Sequence, residues 1–186
     1  MNNYAVMVDL ETMDVTATAA VLSIGACFFN PVDENTKDEL IASGFERTIS
    51  LETNLQANRT ISASTIMWWM QQSDEARKRL YAGDIVPLRK ALTDFEIWLS
   101  ALNPKPTRFW AKDPDFDAAI LANCFGTLNK TWPFPYWSTR SVRTITEMAY
   151  PDPADRPPRS AISHTALDDA VEQALLVQRA TALIQS

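Results

Sequence analysis

The chain has 186 residues, of which 46% are hydrophobic and 22% are charged, and its formal net charge at pH 7 is −6. This composition is that of an ordinary globular protein and excludes a disordered or fibrous chain, and the length suits one domain over residues 1–186. The negative charge argues against a protein that coats a nucleic-acid duplex, because such proteins rely on many Lys and Arg contacts with phosphates.

The apolar stretches are all interrupted before the roughly 20 residues that a membrane span needs. The N-terminus also lacks a basic region followed by a signal-type core. We therefore expect a cytoplasmic protein that has no contact with a membrane. Cys27 and Cys124 have no metal-ligand spacing and form no disulfide framework, so we expect both to be buried hydrophobic side chains.

Three apolar segments near the N-terminus predict three strands. Residues 4–10 are apolar on both faces, which is typical of a central buried strand. Residues 20–29 form a second apolar run that ends at Asn30-Pro31, and residues 44–50 alternate in the manner of a third strand. We expect the three strands to form a meander.

In the middle of the chain the apolar residues recur with the spacing of a helix. Residues 62–81 indicate helix, in one piece or two, and the apolar residues after Pro87 predict the clearest amphipathic helix, which Asn103-Pro104 ends. A short strand is expected over residues 107–110. The elements up to this point therefore run from strands to helices and back to a strand.

The C-terminal part is expected to hold two helices separated by a loop. Asp113-Pro114 has the pattern of an N-cap followed by a proline in the first turn, leading into a helix over residues 116–125 with Gly126 as its terminator. Residues 151–159 form a proline-rich loop, and the last helix runs from about 166 to 184. This order of elements predicts an α/β protein with a mixed sheet.

The start of the last helix carries the only histidine of the chain. Thr165-Ala-Leu-Asp168 matches a capping box, which gives Thr165 the N-cap position and Asp168 a structural function. In the same frame His164 precedes the cap and Asp169 is the fourth helical residue, so their side chains are expected to be neighbours. From this segment alone another interpretation stays open, in which the two acids only complement the helix dipole and His164 is a loop residue.

Carboxylates at the end of the first strand suggest a metal site. Because strand side chains alternate, Asp9 and Glu11 lie on one face, where their like charges repel each other unless a cation compensates them. The alternative is that both lie at an exposed strand end. Asp117, one turn beyond the expected cap, can lean back toward the strand ends. Together with Asp169 and His164, these acids suit two-metal phosphodiester hydrolysis, and bound cations would let an acidic protein hold a polyanion.

Three motifs in this order resemble those of the DEDDh 3′–5′ exonucleases, which have a ribonuclease H-like fold. They are Asp9-X-Glu11-Thr12, Phe116-Asp117 and His164-X-Ala-X-X-Asp169. The resemblance extends along the chain. Within this superfamily the sequence most resembles phage and prophage exonucleases of the exonuclease VIII-like type, which belong with the ribonuclease AS-like group. Further matching strings are Val8-Asp-Leu-Glu-Thr, Ala20-Val-Leu-Ser-Ile-Gly-Ala, Thr65-Ile-Met-Trp-Trp-Met, Tyr136-Trp137 and Arg140-X-X-Arg143-Thr.

The resemblance implies an α/β fold with a central mixed five-stranded sheet flanked by helices. It also implies two divalent cations, Mg²⁺ or Mn²⁺, with His164 as the general base, which suits an imidazole whose ordinary pKa is about 6.5. Thr12 would then lie beside the 3′-terminal nucleotide. The residues expected to bind the metal ions and to act in catalysis are Asp9, Glu11, Asp117 and Asp169.

Basic and aromatic residues offer candidate substrate contacts. Arg140 and Arg143, three apart on an expected helix, can reach a phosphate, or they can instead pair with nearby acids. Where the family has a Trp-Gly-Asn-Gly-like turn, this chain has Trp110-Ala-Lys-Asp-Pro, so Lys112 is a further candidate. The pair Trp68-Trp69 suggests base stacking, but core packing is the preferred interpretation.

These observations lead to the expectation of a metal-dependent 3′–5′ exonuclease that releases nucleoside 5′-monophosphates from DNA with a single-stranded 3′ end. An exoribonuclease acting on RNA 3′ ends is the nearest alternative, because a contact to the 2′-OH distinguishes the two substrates and no residue reveals one. A catalytically silent nucleic-acid-binding domain is a second alternative. If the chain is phage-encoded, as the resemblance implies, its cytoplasm is that of a bacterial host cell. The sequence leaves open whether the protein forms a homodimer.

Overall fold

The computed structural model describes residues 3–158 and 165–186, and it has a mixed sheet with helices on both faces. In this part of the chain the sheet has six strands in the order β4-β3-β2-β1-β5-β6. The strands β1, β2 and β3 form the expected antiparallel meander, while β5 pairs in parallel with β1. The strands are β1 Ala5–Thr12, β2 Val21–Phe29, β3 Phe45–Ile49, β4 Ile85–Val86, β5 Arg108–Ala111 and β6 Thr139–Ser141.

The described sheet has six strands, one more than the resemblance implies and two more than the four that the sequence patterns predict. Its two edge strands, β4 with two residues and β6 with three, are too short to show an alternating pattern in the sequence. Each pairs in parallel with its neighbour, β4 with β3 and β6 with β5. The sheet is thus the mixed, helix-flanked sheet that the sequence predicts, with short additions at both edges.

Eight helices surround the sheet in the described ranges. The long helix after Pro87 and the two-piece helix over residues 62–81 are present as expected, whereas the two short helices flanking β3 were not anticipated. The helices are α1 Lys37–Ala42, α2 Leu51–Gln56, α3 Ala63–Met70, α4 Asp74–Arg79, α5 Leu88–Ala101, α6 Asp117–Thr127, α7 Val142–Ala149 and α8 Ala166–Gln185. Among the described residues, no helix is long and apolar enough to cross a membrane.

The alternation of β1 divides the core into two layers. Val6, Val8 and Leu10 pack with α5 and α6 on one face. Ala5 and Met7 pack with α7 and α8 on the other. Because side chains alternate along a strand, Asp9 and Glu11 continue the row of Ala5 and Met7 toward α8. Both cysteines are buried, as expected.

Gly25 allows the start of α8 to lie directly on the sheet. A Cβ at this position would lie 2.0 Å from the carbonyl carbon of Ala166 and 2.1 Å from the nitrogen of Leu167, so no larger residue fits without moving the helix. Gly25 is paired with Asp9 across the β1–β2 ladder. The first turn of α8 is therefore held beside the acidic end of β1.

The capping interactions of α8 agree with the predicted frame. The Thr165 hydroxyl accepts a hydrogen bond from the backbone amide of Asp168 at 3.1 Å. The same hydroxyl donates to the Asp168 carboxylate at 3.2 Å. Asp168 also forms ion pairs with Lys37 and Arg79. Its surroundings therefore give Asp168 the structural role that the capping box predicts.

Three local predictions are wrong. Asp113 does not cap a helix, because α6 begins at Asp117 after Phe116, and Asp113 instead forms an ion pair with Arg143. Gly126 lies inside the last turn of α6, and the positive φ of 54° that follows the helix belongs to Asn129. Arg140 lies on β6 rather than on a helix.

Candidate active site

Three carboxylates meet where the C-terminal end of β1 faces the first turn of α8. One oxygen atom from each of Asp9, Glu11 and Asp169 lies within 4.8 Å of the other two. The two acids of β1 share a face because they are two residues apart, and Asp169 reaches them because α8 starts on Gly25. The structure therefore brings together three of the four acids predicted for the metal site.

Asp117 adjoins this cluster from the opposite layer. Its side chain is buried, and its Oδ1 accepts a hydrogen bond from the amide of Leu10 at 3.2 Å. That amide is available because the pairing of β1 with β5 extends only as far as Met7 and Trp110. The separation of the two strands thus makes room for the fourth acid beside the strand end.

The cluster is electrostatically strained in the protein without cations. Burial raises the pKa of Glu11 to about 8, and the nearby charges of Asp169 and Asp117 add to this effect. Burial also raises the pKa of Asp117 to about 7, although the hydrogen bond from Leu10 opposes the change. The pKa of Asp9 lies well above its ordinary value because the carboxylate is desolvated and surrounded by the other three acids. Binding of hard divalent cations, which prefer oxygen ligands, would relieve this repulsion between the carboxylates.

Two open cavities flank the acids. One, with a volume of about 270 Å³, lies between β1, α7 and α8, and its lining includes Asp9, Asp169 and Lys112. The other, of about 480 Å³, lies beside α3 and its lining includes Glu11 and Thr12. The acids therefore stand between two spaces that are open to a ligand.

The two adjacent tryptophans of α3 have different environments. Trp69 is buried and its indole N–H donates to the carbonyl of Thr12 at 2.9 Å, so it packs as the sequence suggests. Trp68 is 53% exposed and lines the cavity beside Glu11 and Thr12. The hydroxyl of Thr12 donates to the carbonyl of Asp14 at 2.8 Å, which fixes the turn after β1.

The candidate basic residues all lie at the β5–β6 side of the site. Lys112 lines the smaller cavity together with Asp9 and Asp169. Arg143 makes a two-pronged ion pair with Asp113, with one N–H···O distance of 2.7 Å, and Arg140 donates to the carbonyls of Trp137 and Thr139. Arg143 thus pairs with an acid, the alternative that the sequence left open, whereas Arg140 hydrogen-bonds to backbone carbonyls.

His164, the expected general base, lies outside the described residues. The described chain resumes at Thr165, the N-cap of α8, whose helix carries Asp169 into the cluster. The expected contact between His164 and Asp169 therefore stays a prediction from the capping-box frame.

A glutamine that the sequence analysis did not single out contacts the cluster. The Nε2 of Gln173 donates to Oδ1 of Asp9 at 2.7 Å. Gln173 follows Asp169 by four residues, and side chains with that spacing share a helix face. This spacing was the only sequence signal for it, because nothing local shows that the face of α8 meets β1.

Comparison with known proteins agrees with this geometry. The family model of the Rv2179c-like 3′-5′ exoribonuclease domain matches residues 4–181. The chain belongs to this family of 3′–5′ exonucleases. An exodeoxyribonuclease of Enterobacteria phage T4 is 29% identical over 159 residues, which cover 76% of this chain and 70% of the phage protein.

Three solved structures share the fold. The cell-death related nuclease 4 (CRN-4) superposes with a TM-score of 0.62 at 17% identity, covering 95% of this chain but only 63% of CRN-4. The nuclease domain of 3′hExo, a DEDDh family member bound to rAMP, gives 0.58 at 14% identity and covers 95% and 90% of the two chains. Pop2p of S. pombe, bound to Mg²⁺ and Mn²⁺, gives 0.60 at 12% identity and covers 94% and 81%. The fold is thus the ribonuclease H-like fold that the resemblance implies.

Proposed function

We propose that this protein removes nucleoside 5′-monophosphates from the 3′ end of single-stranded DNA with the help of two divalent cations. The observation that carries the proposal is the meeting of Asp9, Glu11 and Asp169 within 4.8 Å, with Asp117 beside them. Carboxylate oxygens are the donors that Mg²⁺ and Mn²⁺ prefer. Four acids drawn from β1, α6 and α8 suit a pair of ions about 3.5–4 Å apart.

The acids of the site would hold the cations, and the ions would supply charge stabilisation and water activation when bound. Asp9 and Glu11, on the same strand face, contribute from the sheet. Asp169 and Asp117 contribute from α8 and α6. In this proposal His164 accepts the proton of the attacking water, because an imidazole with a pKa near 6.5 takes a proton readily at neutral pH.

The cavity beside α3 is proposed to receive the 3′-terminal nucleotide. The half-exposed Trp68 offers an aromatic face next to Glu11 and Thr12, and base–aromatic stacking contributes about 1–3 kcal/mol per base. Stacking is tolerant of sequence, because every base has a π-face. This arrangement suits an enzyme that removes nucleotides regardless of base identity.

The basic residues at the β5–β6 side are proposed to contact substrate phosphates. Lys112 lines the same cavity as Asp9 and Asp169, where a substrate phosphate bound at the acids would be within its reach. Arg143 is tied to Asp113, so a phosphate must compete with a two-pronged carboxylate for it. We therefore expect Lys112 to contribute more to substrate binding than Arg143. The Nη1 of Arg140 already donates to the carbonyls of Trp137 and Thr139, so we expect Arg140 to contact a phosphate through its other N–H groups.

DNA is preferred over RNA as the substrate on the strength of the phage relative, which is named an exodeoxyribonuclease and is similar over most of this chain. The family model is instead named for an exoribonuclease, which supports RNA as the second candidate. The test is hydrolysis of DNA and RNA oligonucleotides of the same sequence under identical Mn²⁺ concentrations. A higher kcat/KM on DNA is expected, and a higher value on RNA would reverse the assignment.

A further inference from the structure

Gln173 is a neutral side chain that hydrogen-bonds to one of the acids of the site. Its Nε2 donates to Asp9 Oδ1 at 2.7 Å, and it lies on α8 one turn beyond Asp169. Among the residues in the described ranges, it is the side chain that hydrogen-bonds to Asp9. Helix α8 therefore contributes both a carboxylate to the cluster and a donor that holds another carboxylate in place.

An amide is chemically suited to this position. The Asp9 carboxylate is surrounded by the charges of Glu11, Asp117 and Asp169, so its orientation needs a donor. A lysine or arginine would supply one but would also neutralise the charge that attracts a cation. The neutral amide fixes one oxygen and leaves the remaining lone pairs of the carboxylate available. It thus orients Asp9 without competing with a metal ion.

Stability alone does not account for a glutamine here. The Oε1 of Gln173 is buried and has no hydrogen-bond partner within the described part of the chain. A buried acceptor left in that state costs about 1–3 kcal/mol. The neighbouring core positions of α8, including Ala170 and Ala174, are apolar and buried. Gln173 itself is only half-buried and lines the cavity beside Asp9 and Asp169, so core packing does not require an amide there. The value of the amide therefore lies in its contact with Asp9.

We propose that Gln173 is a positioning residue that holds the Asp9 carboxylate in the orientation required to bind a divalent cation. The inference rests on the proposed function, because it assumes that Asp9 binds a cation. Removing a residue that hydrogen-bonds to a metal-binding side chain typically lowers metal affinity or activity by about 10–100-fold.

The test is Mn²⁺ binding to metal-free protein, measured by electron paramagnetic resonance without nucleic acid. Gln173→Met keeps the length of the side chain but removes the donor. Gln178→Met is the control on the same helix, because Gln178 is a buried glutamine that hydrogen-bonds to Asn30 and Asn35, away from the acids. Thermal unfolding of both variants is recorded in EDTA, so that folding and metal affinity are separated. Should Gln173→Met fail to fold, Gln173→Leu carries the same test.

We expect Gln173→Met to bind Mn²⁺ about 10–100-fold more weakly than wild type. Its kcat should recover toward wild type at saturating Mn²⁺, with an unchanged KM for the oligonucleotide. Gln178→Met should lose thermal stability and keep its Mn²⁺ affinity. Equal affinities for Gln173→Met and wild type, or equal losses in both variants, would overturn the inference while leaving the metal site in place. A wild-type protein that binds no Mn²⁺ would overturn the proposed function and the inference with it.

Discussion

Replacing Gly25 by alanine should reduce the activity of the enzyme more than it reduces the stability of the fold. The added Cβ would lie 2.0 Å from the carbonyl carbon of Ala166, and an ordinary contact requires 3.4 Å, so strand and helix must move apart by about 1.4 Å. The obstructing atoms are backbone, so no side-chain rotation relieves the contact. Asp169 lies three residues further along α8 and moves with it. The Gly25→Ala variant therefore withdraws one carboxylate from the two on β1.

The expected losses differ in size. Overpacking among core side chains costs about 1–3 kcal/mol of stability, and a contact with backbone atoms is expected to reach or exceed the upper end of that range. Thermal unfolding of the variant measures this loss separately from the loss of activity. Misplacing a catalytic group by about 1 Å costs on the order of 10²-fold in rate. We expect kcat of Gly25→Ala to fall by about 100-fold or more, together with a weaker affinity for Mn²⁺.

The assay compares exonuclease rate, Mn²⁺ affinity and thermal unfolding for Gly25→Ala and for Gly126→Ala. Gly126 lies within α6 and has nothing within 4 Å of an added Cβ. Gly126→Ala should therefore gain about 0.5–1 kcal/mol from helix propensity and keep its activity. Full activity and wild-type stability of Gly25→Ala would show that α8 does not begin against β2, and the account of how Asp169 reaches the cluster would be refuted.

Three further perturbations test separate parts of the site. Asp168→Ala should lose about 1 kcal/mol of stability in chemical denaturation, with little change in rate, because its contacts belong to the helix cap; an inactive but stable variant would contradict this. His164→Ala should slow turnover by about 10²–10⁴-fold at neutral pH, with a residual rate that rises toward alkaline pH while wild type levels off; parallel pH–rate profiles with comparable rates would refute the general-base assignment. Because burial raises the pKa of Glu11 to about 8 and that of Asp117 to about 7, the metal-free folded state binds more protons than the unfolded state above about pH 5. The melting temperature in EDTA should therefore fall as pH rises from 5.5 to about 8, and saturating Mn²⁺ should raise it more at pH 8 than at pH 6; a melting temperature in EDTA that rises over this range would contradict the raised pKa values.

Sequence patterns predicted the features that local rules determine. The two-residue alternation of β1 placed Asp9 and Glu11 on one face, and the capping box separated Asp168 from Asp169. The structure confirms Thr165 as the N-cap of α8, with Asp168 at the third helical position and Asp169 at the fourth. These predictions succeeded because each depends only on residues within one element.

The remaining features depend on residues far apart in sequence. The cap expected at Asp113 is replaced by an ion pair with Arg143, thirty positions later in the chain. The contact between Gln173 and Asp9 joins residues that are 164 positions apart, and no periodicity encodes it. The edge strands β4 and β6 have two and three residues, too few to form a recognisable sequence pattern, and they are defined by their pairing with β3 and β5. Such features follow from the packed sheet and helices, and only the tertiary structure reveals them.

The most direct test of the central claim is the fate of a 5′-labelled single-stranded DNA oligonucleotide incubated with wild-type protein and with Asp9→Ala, each in Mn²⁺ and in EDTA. With wild type in Mn²⁺ we predict a ladder that shortens one nucleotide at a time from the 3′ end and releases nucleoside 5′-monophosphates. EDTA and Asp9→Ala should each abolish it, while the variant keeps its folded circular dichroism spectrum. Shortening that persists in EDTA, or full activity of Asp9→Ala, would contradict a carboxylate-bound metal site as the origin of the activity.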